Sequence, residues 1–142
     1  TQGQILDLLV NIAATEKMGL LLITHDLGVI AQMTDRMLVM YTGRIIEDGP
    51  TALVFDGMAH PYTRGLFAAL PSSDLVASGP QGHGRLAAIP GEVPTPGEAL
   101  RFGCAFAPRC PIADARCRSS VPPPIFVNAD HGTACFRPRG TT

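Results

Sequence analysis

Proline sets the first limit on how this chain can fold. Its 13 prolines and 15 glycines sit mostly in the second half of the 142 residues, and Pro122-Pro123-Pro124 can only run extended. A residue with no backbone N–H and a fixed φ is excluded from helix interiors and central strands, so this half must be rich in loops. The periodic apolar runs, by contrast, sit mostly before residue 71. Charge changes over the same region. Through Gly84 four basic residues stand against eight acids, a net of −4, and from Arg85 seven arginines stand against four acids, a net of +3. Two units are expected, residues 1–71 and 85–142, joined by a polar, aperiodic linker at 72–84. Residues 85–142 hold too few apolar side chains for a core of their own, which predicts that something staples them.

At 46% apolar residues the chain belongs to the globular class. The positive charge of the second half is too small and too dispersed for a nucleic-acid partner, which would demand a denser basic patch. No apolar run approaches the ~20 residues needed to cross a bilayer, and no basic region leads into an apolar one at the start, so a soluble, unexported chain is expected.

Ile5, Leu8, Leu9, Ile12 and Ala13 recur at helical spacing from Gln4 to Lys17, with Gly19 as the expected stop. Leu20-Leu21-Leu22-Ile23-Thr24 reads as a strand covered on both faces in a parallel α/β sheet. His25 would stand at its C-terminal end, with Asp26 capping a helix that runs through Met33. Arg36 to Tyr41 and Arg44 to Asp48 flank Thr42-Gly43 as a hairpin. His60-Pro61 opens a further helix with an apolar stripe of Leu66, Phe67 and Leu70, closed by Pro71. Beyond the linker, Leu86 to Ile89 is expected as one short strand and Ala113 to Arg116 as one helical turn.

The end of a buried parallel strand is where α/β folds gather ligands, so His25 is placed to reach a bound phosphate, although a polar residue there also serves as a helix cap. The run L-L-L-I-T-H-D-L-G-V-I-A, followed by D-R-M-L-V-M-Y-T-G-R-I-I-E-D-G, resembles the switch-histidine segment and closing hairpin of ABC ATPases. The opening T-Q-G-Q-I-L-D-L-L resembles the helix after that family's Walker B and D-loop stretch. The resemblance implies that His25 is the catalytic switch histidine. In that role it contacts the γ-phosphate of ATP and helps to arrange the attacking water in the presence of Mg²⁺. The sequence holds no G-x-x-x-x-G-K-[ST] loop, Q-loop, Ser-Gly-Gly-Gln signature or Walker B pair, so a piece beginning just after the D-loop and inactive alone is expected.

His60-Pro61-Tyr62-Thr63 resembles the H-P-Y-T segment that marks the ATP-binding subunits of oligopeptide, dipeptide and nickel importers. Ile89-Pro90-Gly91-Glu92-Val93-Pro94 and Gly103-Cys104-Ala105-Phe106-Ala107-Pro108-Arg109-Cys110 resemble the C-terminal extension of the same subunits. The implied fold is α/β: the C-terminal portion of an ABC-type P-loop ATPase domain, followed by a small loop-rich, cysteine-containing extension. The implied partners are permease transmembrane subunits, a second ATP-binding subunit in a homo- or heterodimer and, indirectly, an extracytoplasmic solute-binding protein. Together they place the protein on the cytoplasmic face of the plasma membrane.

Cys104, Cys110, Cys117 and Cys135 are separated by five, six and seventeen residues. Four soft ligands suit an iron–sulfur cluster or zinc, and the lack of a C-x₂₋₄-C pair leans away from structural zinc. Some members of the resembled family carry a [4Fe–4S] cluster in this extension, so that cofactor is expected at the four cysteines, with zinc and free thiols as alternatives. His131 is read as a residue near the centre or on the surface, and Arg109, Arg116 and Arg118 as solvated side chains with no site role. A small metal-binding or redox module remains the rival reading to a transporter part. An independent hydrolase using His25 and Asp26 lacks a nucleophile beside them.

Overall fold

The computed structural model describes residues 2–70, 88–99, 101 and 103–140. The chain divides into two compact units, Thr1–Asp35 and Arg36–Thr142. This division in space falls elsewhere than the compositional one expected after residue 71. The expected linker at 72–84 and the stop at Pro71 lie outside the described residues.

In the first unit, helix α1 spans Gln2–Thr15 and α2 spans Leu27–Met33. The stop of α1 is not Gly19. Lys17 adopts the left-handed conformation at φ 53°, Met18 N–H bonds to Ala13 O at 2.8 Å and Lys17 N–H to Ala14 O at 3.3 Å, which together close the helix with a Schellman motif. Asp26 caps α2 as the sequence predicts, its Oδ1 accepting from Gly28 N at 2.9 Å and Val29 N at 3.2 Å. The strand expected at Leu20–Thr24 is not formed. A strand exists through its ladder, and among the described residues none pairs with this segment, whose Leu21 and Ile23 are 78% and 90% exposed.

The second unit is built on an antiparallel sheet of order β1-β2-β4-β3, from Arg36–Tyr41, Arg44–Pro50, Gly132–Thr133 and Ile125–Phe126 for β1, β2, β4 and β3. The β1–β2 hairpin turns at Thr42 and Gly43, both left-handed at φ 45° and 79°, as a tight two-residue turn requires. Met37, Val39 and Tyr41 alternate inward along β1. The register then shifts: Met40 pairs with Ile45 but Val39 pairs with Glu47, leaving Ile46 as an extra residue. Unbroken alternation would have turned Glu47 outward. The bulge instead buries both Ile46 and Glu47, which are 7% and 1% exposed.

Helix α3 (Thr51–Gly57) packs on the hairpin and α4 (Pro61–Ala68) follows with His60 as its N-cap. The expected stripe of Leu66, Phe67 and Leu70 is not the buried face. Pro61 and Thr63 are buried, Leu66 and Phe67 are half-buried, and Leu70 is 38% exposed. Tyr62 and His60 pack on Phe106, while Phe67 of the stripe meets Phe55 edge-on at 4.6 Å. The ring centroids of Tyr41, Tyr62 and Phe106 lie 4.7–5.4 Å apart and His60 stands 5.8 Å from Phe106. Helices α5 (Pro96–Ala99) and α6 (Ala115–Ser119) and a 3₁₀ turn at Ala107–Arg109 complete the unit. Ala88 and Ile89 are not in a strand. Residues beyond 85, expected to lack a core of their own, are held by the sheet. β4 pairs with β2, Ala134 N–H bonds to Ile46 O at 2.8 Å, and Phe106 enters the aromatic cluster, so these residues share the core of the hairpin.

Candidate functional site

His25 belongs to the first unit. Thr24 Oγ1 accepts from Asp26 N–H at 3.0 Å and Asp26 caps α2, so the capping at this turn is done by its two neighbours. The His25 side chain is exposed.

The four cysteines belong to the second unit and line one small cavity of about 10 Å³, together with His60, Phe106, Ile112, Pro122 and Arg137. Local hydrogen bonds fold them there. Ala107 N–H bonds to Cys104 O at 3.0 Å and Cys110 N–H to Ala107 O at 3.4 Å, winding the 3₁₀ turn between those cysteines. Cys104 N–H bonds to Cys117 O at 2.8 Å and Gly103 N–H to Arg118 O at 3.1 Å. This approach requires glycine at 103, where a Cβ would stand 2.1 Å from Ser120 O and 2.2 Å from Ser120 N. Asp114 caps α6 by accepting from Cys117 N–H at 3.0 Å, and Cys135 lies two residues past the end of β4 with Arg137 N–H on its Sγ at 3.4 Å.

Cys117 is buried and the other three are half-buried. Burial pushes the thiols of Cys104, Cys110 and Cys135 up, that of Cys135 to about 11. Backbone N–H groups oppose this: those of Phe106 and Ala107 at Cys104, of Ile112 at Cys110 and of Arg137 at Cys135. Such donors favour the thiolate, the form that binds metal. The donor set therefore fits a sulfur-ligated centre in kind. Among the described residues no three His, Cys, Asp or Glu side chains stand together as ligands of one metal ion. The cavity has room for about one water, so seating a larger centre would require the half-buried thiols to move outward.

His60 is the residue that sequence reasoning assigned to ancestry and capping alone. Its Nδ1 accepts from Tyr62 N–H at 3.0 Å, and its Nε2 is buried with no hydrogen-bond partner among the described residues. Burial first, and the Arg64 guanidinium second, lower its pKa to about 4. An unpaired buried donor of this kind costs about 1–3 kcal/mol.

Glu47 fixes His60 from the sheet side. Its carboxylate accepts from Ala59 N–H and His60 N–H at 2.7 Å each and meets His131 Nε2 at 2.7 Å. Both side chains of this pair are almost fully buried, so His131 is neither a surface residue nor one of the cavity-lining residues. Arg109 also has a role the sequence did not reveal. Its guanidinium donates to Ile89 O and Pro90 O at 3.0 Å each and to Tyr41 Oη at 3.4 Å, fastening the 89–90 segment to β1. Arg116 lies 4.0 Å over the Phe136 ring.

The family model described as oligopeptide/dipeptide transporter, C-terminal region, matches residues 46–117, from the bulge in β2 to Cys117, just over half of the chain. The chain belongs to this family. Peptide import ATP-binding proteins, as they are named, of Brucella ovis and Brucella melitensis are each 44% identical over 136 residues, covering 96% of this chain and 40% of their own length. One of Brucella suis is 42% identical over 121 residues, covering 85% of this chain and 34% of its own length. The chain thus spans well under half the length of these relatives. Among the described residues no helix is long and apolar enough to cross a membrane.

Proposed function

We propose that the chain is the C-terminal part of the ATP-binding subunit of an ABC importer for peptides, with His25 as the residue that meets the γ-phosphate of ATP. The observation that carries the role of His25 is the division of labour at its turn: Thr24 and Asp26 do the capping and the imidazole stays exposed. Family membership and the relatives' names support the wider reading. In that reading the other motifs that cradle ATP and Mg²⁺ stand on parts of the subunit not included in these 142 residues. The partners are permease subunits and a second ATP-binding subunit at the cytoplasmic face of the membrane. His25→Ala in the full-length subunit, assayed in the assembled transporter, should lower ATP turnover by at least ~10²-fold with the fold intact, as a lost transition-state contact does. Turnover close to that of the unaltered subunit would return His25 to a purely structural place.

The second part of the reading is a sulfur-ligated metal centre at Cys104, Cys110, Cys117 and Cys135, a [4Fe–4S] cluster ahead of zinc. Its support is the gathering of four thiols around one cavity with backbone N–H groups already acting on three of them. When bound, such a centre would join the turn at 104–110, helix α6 and the end of β4. The same observation is what favours a metal-binding or redox module as the rival reading. Anaerobic purification should give a brown protein absorbing broadly near ~400 nm with about four irons per chain, and Cys110→Ser should bleach it. Stoichiometric zinc without iron would select the runner-up, and a chain with neither metal would overturn the centre.

A further inference from the structure

We propose that His60, through its Nε2–H, is the side-chain hydrogen-bond donor to the sulfurs of the centre held in the four-cysteine cavity, tuning that centre without ligating it. The proposal rests on the metal-centre reading above. The tautomer follows from the capping bond: Nδ1 accepts from Tyr62 N–H at 3.0 Å, so in the neutral imidazole the proton is on Nε2. A metal ligand needs a free lone pair at the coordinating nitrogen, and Nε2 could offer one only by giving up the cap of α4. What Nε2 offers is a proton. It is buried, has no partner among the described residues, and belongs to a side chain that lines the same cavity as all four thiols.

The ring is held in place from three sides. Glu47 fixes the His60 backbone N–H, Tyr62 N–H fixes Nδ1, and Phe106 packs 5.8 Å from the ring centroid. The cavity's other nitrogen-bearing side chain, Arg137, is 59% exposed and turns toward Asp114. His60 is thus the buried side-chain donor of the cavity. Thiolate and sulfide sulfurs accept hydrogen bonds more strongly as their negative charge grows, so a fixed N–H stabilises the reduced centre more than the oxidised one and raises its reduction potential. No bond to His60 forms or breaks when the centre gains its electron.

The test uses the full chain, loaded anaerobically with sulfide and equal amounts of ferrous and ferric iron, the composition of the oxidised cubane, and titrated with dithionite as the one-electron reductant. His60→Asn keeps an acceptor at the capping position but has no donor long enough for the cavity, whereas His60→Gln reaches it with an amide N–H. Both variants should hold as much iron as the unaltered chain. His60→Asn should shift the reduction equilibrium about tenfold toward the oxidised form, a fall of about 59 mV for a one-electron couple, and His60→Gln should restore most of it. An unchanged midpoint in His60→Asn at full iron content would overturn the donor role. Loss of iron from His60→Asn with the sheet intact by circular dichroism would overturn it in favour of ligation. If the unaltered chain takes up neither iron nor zinc, the metal reading falls and the proposal with it. Imidazole ¹⁵N shifts in the zinc-loaded or metal-free chain check the donor independently of potential: a protonated Nε2 is expected, and a proton on Nδ1 would overturn the assignment.

Discussion

The two compact units invert the usual relation between composition and packing. Thr1–Asp35 is rich in apolar side chains, yet Ile5, Leu8, Leu9, Ile12, Leu20, Leu21 and Ile23 are 40–90% exposed and α2 contains no buried residue. Arg36–Thr142 carries all 13 prolines, yet it buries Val39, Tyr41, Val54 and Phe106 together with Glu47, His60, Thr63, His131 and Thr133. Apolar character supplies the tendency to be buried, but burial itself requires a partner surface. The second unit obtains one from its own chain, because β4 returns to β2 and Phe106 returns to Tyr41. Its core is closed by a buried polar knot in which each group of Glu47 and His131 that meets the other is paired.

The largest effect that tests this contrast is expected at the knot. Glu47→Ala would leave the N–H groups of Ala59 and His60 and the Nε2 of His131 buried without their acceptor, at a cost of about 3–5 kcal/mol. Denaturant unfolding should read that cost, and hydrogen exchange should locate it in β2, α4 and β4 and not in α1. A cost below about 1 kcal/mol would mean that the second unit is held by its apolar contacts alone. Asp26→Ala should act on a smaller scale, removing the acceptor for Gly28 and Val29 N–H at a cost of about 1 kcal/mol. Amide exchange should rise in the first turn of α2 alone, and spread into the second unit would break the division into two. The smallest effect is expected from Leu21→Ser combined with Ile23→Ser. In this 142-residue chain both side chains are largely exposed, so stability should change by no more than about 0.5 kcal/mol. A larger loss would show that they have a partner surface after all.

Much of the secondary structure was legible because its causes are local. Asp26 caps α2, Thr42-Gly43 turns the hairpin, and Pro61 at the start of α4 follows a capping His60. The mistakes have local causes as well. Gly19 looked like the stop of α1 because glycine enters the left-handed region without strain, but Lys17 occupies it two residues earlier. The stripe of Leu66, Phe67 and Leu70 obeys helical spacing, but the residues that α4 buries are Pro61 and Thr63, with Phe67 half-buried against Phe55.

The sequence by itself determined the family, through H-P-Y-T and the cysteine-bearing extension, and it singled out the residues proposed above to carry chemistry, His25 and the four cysteines. Each is recognisable by residue type and spacing within a short stretch. Only the tertiary structure decided what surrounds them. Glu47 faces inward because one extra residue at Ile46 shifts the pairing of β2, and alternation cannot reveal a bulge before the partner strand is known. His60 reaches the thiol cavity because a loop more than 40 residues later in the chain brings Phe106 and the cysteines against it, a contact between distant segments that no local pattern encodes.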